Sequence, residues 1–299
     1  MWQPQRGAIL VCVDGSAAAL GAVRWAARNA VLRRAPLTLV HISDAPLPEW
    51  LEIAAPPGFR QWQGQRAHDF VETATKVAEE CTADTGPVQI DSKVFNSATV
   101  PTLVELSAVV ELVVVGHRGH GGVLAGGGLG SVSAALVYHA HCPVAVTHDA
   151  QTTNGHVARA PVLVGIDGSP ASEAATAIAF AEASRRGVAL MALHVWTEPW
   201  VAGNRGSFQD AAWDAQLSEE EESLAERLAG WHERYPDVVI RRTIEIGDPA
   251  RCLIEASQQA QLLVVGSHGC SSFRGKLLGS VGAAAVNRAK TPVIVARQS

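Results

Sequence analysis

The stretch VLVGIDGS, residues 162–169, closes a run of aliphatic residues with an aspartate, a glycine and a serine. Nearly the same stretch, ILVCVDGS, occupies residues 9–16. Short apolar runs without alternation are typical of strands covered on both faces of a parallel sheet. An Asp-Gly-Ser sequence is typical of a turn that leads into a helix. Each stretch therefore predicts a buried first strand followed directly by a helix.

The similarity between the two halves of the chain continues in the same order. Equivalent pairs are offset by 153, 150 and 149 residues: Asp14 and Asp167, Gly116 and Gly266, Pro143 and Pro292. Offsets that drift this slowly are typical of an internal duplication. A polar stretch over residues 148–160 separates the copies. We therefore predict a first domain over residues 1–149, a second over residues 160–299 and a linker over residues 150–159.

Each copy alternates short apolar runs with helical patterns. The apolar runs of the first copy are residues 9–13, 37–42, 88–95, 112–115 and 144–147. Between the first two runs, four apolar residues share one helical stripe: Leu20, Val23, Ala27 and Val31. Strands separated by helices favour right-handed crossovers and a doubly wound sheet. The predicted fold class is α/β, with two doubly wound parallel five-stranded sheets as a tandem repeat.

Glycine-rich loops follow the fourth predicted strand of each copy. Their glycines and closing serines are Gly116, Gly119, Gly130 and Ser131 in the first copy and Gly266, Gly269, Gly279 and Ser280 in the second. Glycine lets backbone amides approach an oxyanion, and the next helix adds free N–H groups. In a doubly wound sheet, ligands bind at the carboxyl ends of the strands where the winding reverses. The loops therefore predict a phosphate cradle, with a purely structural tight loop as the alternative.

Composition and charge narrow the function classes. The formal net charge of -5 and the pI near 6.1 argue against a nucleic-acid partner. The acidic run Glu219–Glu222 is interpreted as the solvated first turn of a helix. No window reaches the roughly eighteen apolar residues of a membrane helix, and the first residues do not form a secretory signal. The five cysteines include no CxxC pair and HAHC (139–142) lacks a zinc spacing, so we expect a cytoplasmic protein without a metal site.

The combination of VGIDGS (164–169), LHVW (193–196) and a G-x2-G-x9-G-S loop resembles the ATP-binding subgroup of the universal stress protein family, in its tandem-domain form. The resemblance covers essentially the whole chain. It implies a sheet in the order 3-2-1-4-5, like that of the adenine nucleotide alpha hydrolases, with ATP over the ends of strands 1 and 4. It leaves open whether Mg2+ accompanies the ATP. The implied function is a nucleotide-dependent regulator of a stress or growth response.

The resemblance also implies roles for individual residues. Asp167 would contact the adenosine end, the backbone at Val195 would face the base, and Gly165 would permit close approach. Ribose and phosphates would be held by Gly266, Ser267, His268, Gly269, Gly279, Ser280 and Val281. The matching residues of the first copy are Asp14, Ile42, Gly116, His117, Arg118, Gly119, His120, Gly130, Ser131 and Val132. Two alternatives stay open: both aspartates as turn or helix-cap residues, and Arg118 as a solvated loop cation.

The first copy departs from the family pattern at two places. Ten residues separate Gly119 from Gly130, whereas nine separate Gly269 from Gly279, and Cys12 stands where the second copy has Gly165. The extra residue is either absorbed by the glycines of residues 125–128 or displaces the phosphate-binding amides by about one residue step, ~3.8 Å. We therefore expect the second domain to bind ATP more tightly.

No pair of carboxylates in a Walker-type context accompanies the loops, so no catalytic residue is predicted. His41 and His194, at strand ends, are interpreted as residues at the edge of the core rather than as bases. The alternatives to an ATP-binding regulator are a slow ATPase that uses the same cradle and a scaffold with vestigial pockets.

The fifth strand of each copy is expected at a sheet edge, where unpaired backbone groups favour pairing between the copies or between subunits. A homodimer and an unidentified protein partner are therefore expected, but neither a nucleic acid nor a membrane. Residues 45–62 are interpreted as a packed loop, with a lid over the first pocket or a protein-binding surface as alternatives.

Overall fold

The computed structural model describes residues 2–43, 58–119, 128–148, 159–196, 209–269 and 278–297. The chain divides near residue 151 into two compact units. Residues 150–158 of the predicted linker, His120 and most of residues 45–62 lie outside the described residues. None of the helices in the described ranges is both long and apolar enough to span a membrane.

The first unit is a parallel sheet wrapped by helices. Its elements are β1 (Ile9–Cys12), α1 (Ala17–Arg33), β2 (Leu37–Ser43), α2 (Phe59–Thr82), β3 (Ile90–Asn96), α3 (Thr99–Leu106), β4 (Leu112–Gly116), α4 (Ser131–His139) and β5 (Val144–Thr147). The strand order is β3-β2-β1-β4-β5, and every pair is parallel. The order 3-2-1-4-5 is therefore confirmed.

The second unit repeats this architecture. Its elements are β6 (Val162–Ile166), α5 (Pro170–Arg186), β7 (Leu190–Trp196), α6 (Gln209–Arg234), β8 (Ile240–Ile246), α7 (Pro249–Ser257), β9 (Leu262–Gly266), α8 (Ser280–Arg288) and β10 (Val293–Ala296). The strand order within the unit is β10-β9-β6-β7-β8, again with parallel pairs. The doubly wound α/β fold predicted for both copies is thus confirmed.

Burial of the strands follows their place in the sheet. All residues of β4 and all but the last of β1 are buried, whereas β3, an outer strand, is exposed or half-buried throughout. The aliphatic runs without alternation occupy the central strands because helices cover both faces there. The core of each unit is therefore centred on the strands that flank the point where the winding reverses.

Helix α1 packs on the sheet mainly through alanines. Val23 and Ala27 are buried as predicted, but Leu20 and Val31 are only half-buried, and most of the remaining buried positions are alanines. Small residues let the helix lie close to the strand ends. At Gly116, the last residue of β4, an added Cβ would lie 2.8 Å from the backbone carbon of Ala18. Gly266 has the same relation to Ala171, so this glycine is required in each copy by helix packing.

The acidic run Glu219–Glu222 does not form the first turn of a helix, and that prediction is wrong. Helix α6 begins at Gln209, so the run lies in the middle of the helix. Glu220 is half-buried and points toward His194, whereas Glu219, Glu221 and Glu222 are exposed. The run mixes solvent-facing positions with one that faces the sheet because successive residues on a helix are about 100° apart.

Replacing Gly116 with alanine should destabilise the first unit. The new Cβ has no room against the backbone of Ala18, and such overpacking costs about 1–3 kcal/mol. Gly21→Ala is the matched control, because nothing lies within 4 Å of its added Cβ and alanine in a helix interior gains about 0.5–1 kcal/mol. Urea unfolding followed by circular dichroism measures both changes. An unchanged midpoint for Gly116→Ala would contradict the packing argument.

Candidate functional site

An aspartate fixes the turn that follows the first strand of each unit. Asp14 Oδ1 accepts a hydrogen bond from the N–H of Ser16 at 2.9 Å, and Ser16 Oγ accepts from the N–H of Ala19 at 3.1 Å. Asp167 Oδ1 accepts from the N–H of Ser169 at 2.9 Å in the same way. The aspartates therefore do hold the turn, as their structural alternative predicted, and Ser16 and Ser169 cap the helices.

The second oxygen of each aspartate faces the glycine-rich loop. A Cβ added at Gly269 would lie 2.8 Å from Asp167 Oδ2, and one added at Gly119 would collide with Asp14 Oδ2. Because these glycines have no side chain, the loop after the fourth strand can contact the turn after the first strand. The carboxylate therefore joins the two strand ends that border the point of reversal.

The glycines that precede the last helix of each unit are not required by the backbone. Gly130 has φ −60° and ψ 152°, and Gly279 has φ −63° and ψ 155°, which are ordinary values for any residue. Among the described residues, the nearest atoms to an added Cβ are 3.5 Å away at Gly130 and 3.4 Å away at Gly279. Either position would accept a Cβ with little strain. Glycine here leaves open the space in front of the helix.

That space lies at the N-termini of α4 and α8. The first helical hydrogen bonds run from Ala134 N–H to the Gly130 carbonyl and from Ala283 N–H to the Gly279 carbonyl. Because neither glycine has a side chain, no cap residue accepts from the N–H groups of the first turn among the described residues. A helix N-terminus in this state attracts anions.

A cavity opens over the strand ends in each unit and collects most of the predicted site residues. The second-unit cavity, about 250 Å³, is lined among others by Gly165, Asp167, Val195, Gly266, His268, Gly269, Gly279, Ser280 and Val281. The first-unit cavity, about 390 Å³, is lined among others by Asp14, Ile42, Gly116, Arg118, Gly119, Gly130, Ser131 and Val132. Every predicted position lies within the described residues except His120.

Two predicted residues do not line these cavities. The ring of His117 packs against that of His148, with centroids 4.6 Å apart. Ser267 is 2% exposed, and its hydroxyl lies 3.0 Å from Nδ1 of His268. Both residues directly follow the fourth strand and turn away from the crevice, as the alternation of side chains along an extended chain requires.

The extra residue of the first loop does not displace the end of the loop. The Gly130 N–H donates to the His117 carbonyl at 2.9 Å, and the Gly279 N–H donates to the Ser267 carbonyl at 2.8 Å. Gly130 and Gly279 therefore have equivalent positions relative to the start of their loops. The displaced-amide alternative is therefore wrong at Gly130, whose N–H keeps the position that the Gly279 N–H has relative to the start of its loop.

Cys12 and Gly165 differ in their surroundings. An added Cβ at Gly165 would lie 2.8 Å from Cδ1 of Leu253, so the glycine makes room for a leucine of α7. In the first unit the cavity is lined by Cys12 and Thr99, not by Leu103, the residue that corresponds to Leu253. Sequence reasoning missed Leu253 because nothing in a single sequence pairs α7 with β6.

The two units have different side chains next to the aspartate, on the side that faces β2 in the first unit and β7 in the second. In the first, the ring of Phe70 covers Gly15 and lies 5.4 Å from the ring of His41. In the second, the guanidinium of Arg227 covers Gly168. The sequence analysis did not single out Phe70 or Arg227. Their position on the sheet-facing side of a long helix could have drawn attention to them, but their pairing with Gly15 and Gly168 is tertiary.

His41 and His194 are anchored to the first strand of their units. Nδ1 of His41 lies 2.7 Å from the Val13 carbonyl, and Nδ1 of His194 lies 2.7 Å from the Ile166 carbonyl. A carbonyl oxygen only accepts, so each ring donates from Nδ1. Both histidines therefore hold β2 or β7 against the end of β1 or β6, in agreement with a place at the edge of the core.

Cys12 should make the protein lose stability at alkaline pH. Burial, together with the carboxylate of Asp14, raises the pKa of the Cys12 thiol from 9.0 to about 12. The unfolded chain gives up this proton first, so the contribution is complete below pH 9 and is lost as pH rises toward 12. Urea midpoints between pH 8 and pH 11 should fall more steeply for the unsubstituted protein than for Cys12→Ala. Cys81→Ala is the control and should follow the unsubstituted protein; parallel curves for all three would refute the assignment.

Comparison with known proteins agrees with this architecture. The model of the universal stress protein family matches residues 6–148 and 159–297. A universal stress protein of Mycobacterium tuberculosis is 49% identical over 97% of this chain and 96% of its own length, and one of Mycobacterium bovis is 47% identical over 97% of both. The crystal structure of a universal stress protein from Archaeoglobus fulgidus has a TM-score of 0.70 at 17% identity, covering 99% of this chain and 100% of its own. The chain belongs to the universal stress protein family.

Proposed function

We propose that each domain binds ATP, with the phosphates at the N-terminus of its last helix and the base beyond the aspartate. The observation that carries the proposal is the glycine before that helix. Gly130 and Gly279 have ordinary backbone angles and room for a Cβ, yet neither is a residue with a capping side chain. A glycine that neither the turn nor the packing requires is explained by a ligand that occupies the space in front of it.

The surroundings of these glycines fit a polyphosphate. First-turn N–H groups and the helix dipole favour an anion there, and the adjoining loop has glycine at each end. Arg118 lines the first cavity, so that site has a basic residue near the helix N-terminus, and His268 lines the second. The side chain of Arg118 donates from Nε to the Gly128 carbonyl at 3.2 Å, which holds it near the loop.

The dimensions of the crevice support the orientation. The phosphate end lies at β9 and α8, and the cavity extends across β6 to Val195 at the end of β7. Neighbouring strands are about 4.8 Å apart, so β9 and β7 are separated by about 10 Å. A nucleotide with its phosphates at Gly279 would thus place its base near Val195, and Asp167 would lie between the two ends.

The proposed role is regulatory binding rather than hydrolysis. Among the described residues that line each cavity, the aspartate is the sole carboxylate, and its Oδ1 is already engaged by a backbone N–H. General-base activation of water needs a free, positioned acceptor. The bound nucleotide would then act through the shape of the loop that it contacts.

Leucine at Gly130 or Gly279 should block binding without unfolding the protein. The side chain fits the local backbone but fills the space proposed for phosphate. Isothermal titration with ATP should show two sites in the unsubstituted protein, one in each single variant and none in the double variant. Gly130→Ala and Gly279→Ala are milder controls that test the size of the gap. Unchanged ATP binding in the double variant would contradict the proposal.

The same single variants compare the two sites. The two loops have the same register, so the loops give no reason for different affinities. The expectation of tighter ATP binding in the second domain therefore rests only on Cys12, which stands where that domain has Gly165. Gly130→Leu, which leaves the second site, should bind ATP more tightly than Gly279→Leu, which leaves the first. Equal dissociation constants would refute the expected difference while leaving nucleotide binding intact.

Prolonged incubation with ATP separates a regulator from a slow ATPase. Nucleotide recovered from the protein after hours should still be ATP, and phosphate release should equal that of the double Gly130→Leu, Gly279→Leu variant. Phosphate release above that of the double variant would favour the ATPase that uses the same cradle.

A further inference from the structure

In the second domain the crevice continues past Asp167 into a side cavity of about 270 Å³. It shares Asp167 and Val195 with the cavity in front of α8, so the two spaces adjoin. The remaining walls come from the end of β7 and from α6. They include His194, Trp196, Glu220, Leu224 and Arg227.

When the ring of His194 is neutral, two hydrogen-bond acceptors face each other in this side cavity. Nε2 of His194 lies 3.5 Å from Oε2 of Glu220. Because Nδ1 of His194 donates to the Ile166 carbonyl, Nε2 of the neutral ring carries only a lone pair. The carboxylate of Glu220 also only accepts. A ligand group that donates two hydrogen atoms would satisfy both, whereas an oxygen acceptor in the same place would be repelled by both.

The side cavity lies where the proposed orientation puts the nucleobase. Phosphates at α8 leave the base at the end of β7, two strand spacings away, and β7 is the strand that contributes His194 and Trp196. An exocyclic amino group on the base offers the two N–H donors that the acceptor pair requires. A base with an oxo group at that position offers none.

The first domain lacks this arrangement. Phe70 occupies the place of Arg227, since each covers the glycine after its aspartate. Seven residues earlier, two helical turns along each helix, the first domain has Gln63 where the second has Glu220. Gln63 is exposed, and His41 packs against the ring of Phe70. A glutamine amide both donates and accepts hydrogen bonds, so it would not discriminate between an amino group and an oxo group.

We propose that Glu220, together with His194, makes the second site select a purine with an amino group rather than an oxo group at position 6, and so prefer adenine to hypoxanthine. This inference rests on the proposed nucleotide binding and names the residues that read the base. The carboxylate accepts from the amino group, and the same carboxylate excludes a keto oxygen. A site built to hydrogen-bond one group rejects the analogue that lacks it because the buried partner is left unpaired.

ATP and inosine triphosphate test the assignment, because inosine triphosphate carries an oxo group in place of the amino group. The full chain with Gly130→Leu, which keeps only the second site, is titrated with each at pH 8, where an ordinary imidazole is neutral. ATP should bind roughly tenfold more tightly than inosine triphosphate, since inosine triphosphate leaves the two half-buried acceptors without a donor. Adding Glu220→Gln should reduce that ratio severalfold, because the amide can donate to the oxo group. The Gly279→Leu variant, which keeps the first site, should show the smaller preference.

Glu221→Gln is the matched control, since Glu221 is the next residue of α6 and is exposed. It removes the same charge and should leave the preference for ATP unchanged. A ratio that does not change in Glu220→Gln, or that changes as much in Glu221→Gln, overturns the inference while leaving the proposed function intact. Failure of both nucleotides to bind overturns the proposed function itself.

Discussion

The hydrogen bond from a serine N–H to the carboxylate of Asp14 or Asp167 is the contact on which each site depends. It holds the first strand, the turn and the start of the following helix in one arrangement. The other oxygen of the same carboxylate meets the glycine of the loop that follows the fourth strand. One side chain thus fixes both sides of the point where the sheet reverses its winding.

The glycines around this carboxylate do not all serve the same physical need. Gly116 and Gly266 let the first helix approach the sheet, and Gly119 and Gly269 let the loop approach the aspartate. Gly130 and Gly279 meet neither need, since their backbone angles and surroundings would accept a side chain. A motif that looks uniform in sequence therefore divides into packing positions and positions left open to a ligand. Mutations at the two kinds of glycine have different consequences, because the first kind alters stability and the second alters the cavity.

The two sites share the turn, the loop and the helix N-terminus, but they differ on the flank of the site, which is formed by α2 or α6. Both units have the same turn, loop register and uncapped helix N-terminus. On the side away from that helix, an aromatic ring lies over Gly15 in one unit and a guanidinium lies over Gly168 in the other. The flank is built from α2 or α6, long helices that pack on the sheet through part of their surface. Such a surface can change its chemistry without disturbing the parallel strands, so two copies of one fold can differ in what they recognise.

The sequence by itself determined the fold, because the aliphatic runs, the turn residues and the repeated order of blocks all favour a duplicated, doubly wound sheet. It also located the carboxyl rim, since the aspartates and glycine loops follow the strands that meet there. It misplaced Glu219–Glu222 at a helix start, because solvent-exposed carboxylates suit both a first turn and the middle of a long helix. Only the tertiary structure decided that Gly116 serves helix packing, that Leu253 fills the space beside Gly165, and that Glu220 faces His194. Each of these is a contact between segments distant in the chain, and its geometry depends on how closely helices and strands pack, which no local pattern of residues specifies.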